Sequence, residues 1–456
     1  MTTPHTPTAT VIAGAVYIPS CAQPDRKRQL RVCAADEDAV TMAVEAGARA
    51  LKSWNADASA VDALVVALHQ RTAEAGSAVD AHVVREALGL ANTVRVVSMA
   101  GADALSGLAA LQAVHDLTTL VIASEAAGGR QSAAAAALIC VPTTSDPGNT
   151  VRVSEVARAS ELTHERWTGS DTSAKEPDYR FLAHRYQELT DQIVSQIVGA
   201  DLGRISQLCV SAPSSIDVRA LWIALGGQDP TSPQPRAAED RGVAGPLTAI
   251  VDSVLHRPSS GRGALYAAGS GQSVVVELTV PAGVESNFTW SESSVVSAPS
   301  PSVSEGPQLS FPLESPFFVR NWASTLRLEA ASCTKCGYVA FPPSQRPICP
   351  SCHARTWVPE ELPREGHVYA SMENFFLPAG FSKSLVLVLG ELSNGFKYWA
   401  PMPPETRRED VEIGDPVRLV LRSITQRDGV TAYAMKFLPS DADAELEGAE
   451  SATASA

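Results

Sequence analysis

Up to about residue 285, short apolar runs alternate with alanine-rich stretches whose apolar positions recur at helical spacing. Continuous apolar runs of strand length, bounded by turn residues, predict buried strands over 10–17, 63–67, 94–98, 119–123, 207–210 and 273–280. The stretches between them predict helices over 36–51, 80–88, 104–115, 178–198 and 245–255. In the first helix Val40, Ala43, Val44 and Leu51 share one face, and Asp36, Glu37 and Asp38 lie near its positive N-terminal end. Strands and helices in this alternation predict an α/β layered fold.

The pattern changes near residue 286. Residues 286–310 hold nine Ser and three Pro with few apolar anchors, the composition of a solvated linker. Beyond a helical lead-in over 317–326, strand patterns fall at 366–371, 384–391, 397–401, 416–424 and 429–437, separated by Gly, Pro and Asn. Five short strands so spaced predict a small all-β barrel of OB type. The expected organisation is an α/β layered domain over 1–285, a Ser/Pro-rich linker over 286–314, the lead-in with a cysteine-bearing ribbon over 315–364, the barrel over 365–439, and a disordered acidic tail over 440–456.

Composition narrows the partners. The chain has 456 residues and a net charge of −14, which argues against nucleic acid or an anionic membrane surface. A phosphorylated small ligand stays open, since a few local arginines suffice for it. Residues 1–8 lack the basic and apolar parts of a secretion signal, and the most apolar run, 133–141, is too short to span a bilayer. A reducing cytoplasm is therefore expected. Cys21, Cys33, Cys140 and Cys209 are scattered without a disulfide framework, and the Asn287-Phe-Thr289 acceptor pattern has meaning only in a secreted chain.

The other four cysteines carry the sharpest signal. Cys333-x2-Cys336 and Cys349-x2-Cys352 are separated by twelve residues, a stretch rich in turn formers. Two such knuckles bring four thiolates to the corners of a tetrahedron, which suits Zn²⁺; with no ligand position open the metal would be structural. Cys349-Pro-Ser-Cys352-His353 also matches the pattern for covalent haem attachment, but that would leave Cys333 and Cys336 without a role. His353 is read as a bystander, and Arg346 and Arg355 as solvated side chains that could also meet phosphates.

Two family resemblances follow from the residues. Residues 13–19, Ala-Gly-Ala-Val-Tyr-Ile-Pro, and 36–46, Asp-Glu-Asp-Ala-Val-Thr-Met-Ala-Val-Glu-Ala, resemble the opening of hydroxymethylglutaryl-CoA synthases in the thiolase superfamily. Residues 61–67 resemble the strand leading to that family's active site, 106–111 the start of its nucleophile helix, and 242–247 and 269–272 its late glycine turns. The likeness spans roughly residues 10–281. The C-terminal region resembles the rubredoxin-like zinc-ribbon and OB-fold family that accompanies thiolases. Trp322, the two cysteine pairs, Pro342-Pro343, Gly366-His-Val-Tyr369 and Gly414-Asp-Pro-Val417 carry this second likeness. It implies a domain that binds acyl-CoA and passes it to a thiolase partner.

The first resemblance implies a Cys nucleophile, a His and a Glu acting as acid and base. Thioester exchange needs a thiolate, and carbon–carbon bond formation needs a base beside the carbonyl. Here the nucleophile position falls on Ala104, the Glu position on His69, the His position on Ser211, and Val243 stands where the family has Asn. An alanine cannot attack a thioester. His69 either caps a strand end or serves as a general base; Asp103 is read as a helix cap, Cys209 as a small buried residue, and Gly269-Ser-Gly271 as a turn.

The leading expectation is an acyl-CoA-handling subunit of a thiolase-type acyltransferase or condensing complex. Its own site would be degenerate, and a separate thiolase-type protein or a self-dimer would complete the assembly. The alternative is an enzyme acting alone without Cys, a carbon–carbon lyase (aldolase) or acyltransferase, in which His69 or a Tyr moves the proton. A ligand-free scaffold is the third reading.

Overall fold

The apolar run near the N-terminus forms a strand buried along almost its whole length, Ala9–Ile18. It is the first element of the computed structural model, which describes residues 9–25, 28–69, 78–99, 103–113, 116–126, 131–142, 144, 148–161, 167–168, 174–175, 179–198, 205–212, 216–227, 241–256, 261–269, 271–292, 296–297, 322–343, 347–377, 384–427 and 430–440. The chain divides into two compact units, Met1–Ala34 with Asp38–Ser300, and Ala35–Glu37 with Pro301–Ala456. Most of the expected linker and the acidic tail beyond residue 440 lie outside the described residues.

The first unit begins with β1 (Ala9–Ile18), β2 (Cys21–Asp25), β3 (Arg28–Arg31), α1 (Ala39–Trp54), β4 (Ala63–His69), α2 (Ala78–Ala87), β5 (Arg95–Met99), α3 (Ala104–Gln112), β6 (Thr119–Glu125) and β7 (Ala134–Val141). It continues with β8 (Val151–Ser160), the short β9 (Trp167–Thr168) and β10 (Ala174–Lys175), α4 (Tyr179–Ile197), β11 (Leu208–Ser211), α5 (Arg219–Ala224), α6 (Gly245–Leu255), β12 (Gly261–Gly269), β13 (Gln272–Val280), β14 (Phe288–Glu292) and β15 (Val296–Ser297). Ten of these strands make one mixed sheet in the order β11-β12-β13-β8-β1-β7-β6-β4-β5, with β14 beside β1.

The sheet repeats a motif. In its first half β4 is parallel to β5 and β6, while β7 is antiparallel to both β6 and β1. In its second half β11 is parallel to β12, while β13 is antiparallel to both β12 and β8. Each half thus seats its last strand between its penultimate and its first. The central helices α3 and α6 pack on each other and bury Leu105, Leu108, Leu111, Leu247, Ile250 and Val254 in a core shared with the sheet.

Three differences from the sequence pattern have physical causes. The first helix begins at Ala39, not at residue 36, because Asp38 caps it reciprocally. The Asp38 side chain accepts from Thr41 N (2.9 Å), and Thr41 Oγ1 accepts from Asp38 N (2.9 Å). It runs on past residue 51 to Trp54 because Asn55 (φ 54°) supplies the left-handed stop. Next, the apolar run over 133–141 is a central strand. Its alanines have little strand propensity, but β1 and β6 pair with it on either side. Finally, Phe288–Glu292, expected in the linker, pairs with β1 from Gly14 to Ile18.

The second unit holds a three-stranded sheet, β16 (Glu329–Cys333), β17 (Val339–Ala340) and β18 (Trp357–Glu361), in the order β17-β16-β18. Residues 322–327 are helical, overlapping the expected lead-in. Five further strands follow, β19 (Glu365–Asn374), β20 (Leu385–Leu392), β21 (Lys397–Pro401), β22 (Pro416–Arg427) and β23 (Val430–Pro439). They form an antiparallel sheet in the order β21-β20-β19-β22-β23, and its two end strands approach each other so that it is nearly closed. Val368, Val388, Leu419, Leu421 and Phe437 fill its interior. Asp36 and Glu37, expected at the helix end, belong to this unit: Lys436 Nζ donates to Asp36 Oδ2 (2.7 Å) and Arg422 pairs with Glu37 (3.1 Å).

Candidate functional site

Among the described residues, two groups of side chains with chemical potential stand out, one at the strand ends beside α3 and one at the four clustered cysteines. The first is built by register. β4 and β6 are parallel neighbours in phase, so their last residues, His69 and Glu125, stand side by side. His69 Nδ1 lies 2.7 Å from Glu125 Oε1, and the Glu125 side chain is fully buried while that of His69 is 14% exposed. The second carboxyl oxygen of Glu125 accepts from Val243 N (3.1 Å), in the turn that leads into α6. Gly242 allows that approach. Its φ is +46°, and a Cβ there would fall 2.0 Å from Glu125 Oε2. With Nδ1 donating to the carboxyl, Nε2 is the basic nitrogen of the ring, on the less buried side of the pair.

The start of α3, where the sequence resemblance expects a nucleophile, carries no such polar group on its first residue. Ala104 opens α3 and is 5% exposed, its methyl packed into the core that includes Val65, Val121 and Val243. Asp103 caps the helix, its Oδ1 accepting from Ser106 N (3.0 Å) and from Ser106 Oγ (3.1 Å). The cap satisfies one of the free N–H groups at the α3 terminus, that of Ser106. Ser211 ends β11 in register with Ala267 and is 3% exposed. Among the described residues it makes no hydrogen bond to His69 or Glu125.

The first unit's four described cysteines, Cys21, Cys33, Cys140 and Cys209, share one environment. All four are buried. Burial pushes the Cys140 thiol far above its ordinary range. Cys209 Sγ lies 3.4 Å from Ser253 Oγ, and Cys33 Sγ lies 3.9 Å from Met42 Sδ. Burial in apolar surroundings lowers the reactivity of a thiol.

In the ribbon, Cys333 ends β16 and the four Sγ atoms lie within 4.8 Å of one another. Cys333 and Cys352 are 3.6 Å apart, as are Cys336 and Cys349. Tetrahedral ligands at a metal–sulfur length near 2.3 Å would stand about 3.8 Å apart, so the donor set fits a thiolate-bound ion. Each knuckle is closed by a backbone bond, Gly337 N to Cys333 O (2.9 Å) and His353 N to Cys349 O (2.9 Å). His353 takes the left-handed turn (φ 59°) that ends the second knuckle. The Tyr338 backbone N–H, donating to Cys336, helps hold that thiol down to about 7, ready to bind as thiolate. Arg355 is exposed, and Arg346 lies outside the described residues.

Sequence reading missed Glu125. The signal was an acid that closes an apolar strand, Thr-Leu-Val-Ile-Ala-Ser-Glu, with no reason to be there. Its partner is 56 positions away, and only strand register joins them.

No protein-family model and no curated protein matches the chain. Solved structures do resemble it. MvaS in complex with 3-hydroxy-3-methylglutaryl coenzyme A is 16% identical, over 62% of this chain and 90% of that one, at a TM-score of 0.47. Xanthomonas campestris OleA with bound lauric acid and lauroyl-CoA is 15% identical, over 59% and 98%, at 0.47. The curacin-pathway HMG synthase in complex with acetyl donor-ACP is 15% identical, over 61% and 82%, at 0.48. These values are too low to carry an argument. No helix among the described residues is long and apolar enough to cross a membrane.

Proposed function

We propose that the chain is an acyl-CoA-handling protein of a thiolase-type acyltransferase or condensing system, and that its own thiolase-like site forms no covalent acyl-enzyme. One observation carries the reading. A buried methyl group, Ala104, occupies the start of the helix where the resemblance requires a thiolate. The second unit would receive the thioester on an OB-type barrel. Support comes from the five-strand order with its near closure, and from the aromatic groups left exposed on it. Tyr369 and Trp399 are each about half exposed; Lys397 Nζ sits 3.1 Å from the Tyr369 ring centroid, and Trp399 follows two residues later on the same side of β21. Rings and a cation together suit a nucleotide-bearing thioester.

Cys333, Cys336, Cys349 and Cys352 would hold Zn²⁺. Bound there, the ion cross-links the ribbon and does no chemistry on substrate. Metal analysis of freshly purified protein is expected to find close to one zinc per chain, and Cys349→Ser to lose it while destabilising only the C-terminal region. Protein purified without any zinc would defeat this assignment.

The condensing partner is the part most open to test. Tagged purification from the native host is expected to bring down, in stoichiometric amount, a thiolase-type protein with an intact nucleophilic Cys. Recovery of the chain alone as a homomer would argue against an accessory role.

A second reading is favoured by the His69–Glu125 pair. An imidazole oriented by a buried carboxyl is equipped to take a proton, and retro-aldol cleavage needs an acid/base and enolate stabilisation but no acyl-enzyme. The chain alone would then be a Cys-independent acyl-CoA lyase. Turnover by the pure homomer that disappears in a folded His69→Ala variant would establish it. Full activity in that variant would remove His69 from the mechanism.

A further inference from the structure

Arg241 immediately precedes the glycine that admits Glu125, and its own side chain turns to a different neighbour. Its backbone is held in the turn, Ala244 N donating to Arg241 O (3.0 Å). Its guanidinium lies over the Trp290 indole, Cζ 5.4 Å from the ring centroid. Trp290 is carried by β14, is partly buried against the main core, and makes an edge contact with the His256 ring at 6.0 Å.

The guanidinium lacks what a buried cation needs. Arg241 Nη1 is a buried nitrogen with no hydrogen-bond partner among the described residues. The two carboxyls within its field, Glu292 and Asp252, are engaged elsewhere. Glu292 accepts from Arg31 Nη2 (2.6 Å) and from Trp290 Nε1 (3.2 Å). Asp252 Oδ1 pairs with His256 Nδ1 (2.8 Å). Arg31 places a second guanidinium in the same field, its Nη1 donating to Pro19 O and Ser20 O (3.2 Å each). Burial draws the Arg241 pKa down to about 10, which leaves it charged near neutrality. Buried donors of native proteins nearly always have partners, and a bound group that is not part of the chain would supply one here.

We infer that Arg241, seated on Trp290 and backed by Arg31, is the receptor for an oxyanion group, carboxylate or phosphate, of a small ligand. The planar fork of Arg is suited to two parallel oxygens, which a carboxylate and a phosphate share. The site is one residue from Gly242 and two from Val243, which hold Glu125, so an anion bound here would be anchored on the same turn as the His69–Glu125 pair. It needs neither a nucleophilic Cys nor a partner, and stands whether or not the acyl-CoA reading does.

The test uses the full-length protein, with malonate and inorganic phosphate as separate probes and sodium chloride at matched ionic strength as control. Saturable binding followed by tryptophan fluorescence is expected for one or both probes, with a change absent in Trp290→Phe. Malonate alone responding would name a carboxylate ligand, and phosphate alone a phosphorylated one. Arg241→Gln is expected to weaken binding at least tenfold and to abolish the probe-induced rise in melting temperature. Arg241→Lys, which keeps the charge but not the fork, should fall between. Without any anion, Arg241→Gln should melt no lower than the parent, because it removes the buried nitrogen that has no partner among the described residues. The proposal is overturned if chloride does as well as the probes, if the Gln variant binds them equally, or if that variant melts well below the parent in probe-free buffer.

Discussion

The two halves of the first unit share a strand pattern but finish the turns before their central helices in different ways. α3 is capped by Asp103, whose carboxyl accepts from Ser106, and its first residue is a buried alanine. α6 has no side-chain cap; the turn before it spends the Val243 N–H on Glu125, a residue of the other half. One turn is closed on itself, and the other reaches across to a carboxyl that holds an imidazole. Among the described residues, the His69–Glu125 pair is thus assembled around β4, β6 and the α6 turn, and α3 contributes a cap. The family resemblance points to α3, and the geometry points elsewhere.

Substitutions can break this comparison in graded steps. The largest effect is expected from Gly107→Ala in α3, whose new Cβ would fall 1.9 Å from the Val243 carbonyl oxygen. Forcing the two turns apart should cost about 3 kcal/mol, the upper range for overpacking, seen as a lower urea midpoint. A change too small to measure would mean the turns are not held together. Glu125→Ala comes next. It strands the buried Val243 N–H and should cost about 2 kcal/mol, with Glu125→Gln recovering part of that loss because its amide oxygen still accepts. Equal losses in the two variants would contradict the hydrogen-bonding role. Asp103→Ala should be mildest, about 1 kcal/mol for a helix cap, and should leave the His69 ring NMR signals where they are. If those signals move as far as in Glu125→Gln, the two turns are not independent.

How much of this could be read from sequence depends on distance along the chain. The four clustered cysteines announce themselves because each pair is closed within four residues by Gly337 and His353. The strands at 10–17 and 273–280 are equally plain, being apolar runs bounded by turns. The run over 133–141 is harder, since its alanines carry no strand preference and two flanking strands decide the matter. The reciprocal Asp38–Thr41 cap is local in sequence, but the acidic run Asp36–Asp38 masks which of its residues begins the helix. Glu125 and Arg241 could not be found locally at all. Strand register selects the first, and the second stands out only once its neighbours are seen to be committed to other partners.

Whether a thioester is held without becoming attached to the chain is decided most directly by intact-mass spectrometry. The protein would be incubated with a panel of acyl-CoAs under conditions in which calorimetry detects binding. Saturable binding is expected, with the mass of the chain unchanged for every member of the panel. An acyl adduct on Cys21, Cys33, Cys140 or Cys209 that exchanges with free CoA would contradict the account and restore covalent chemistry to this fold.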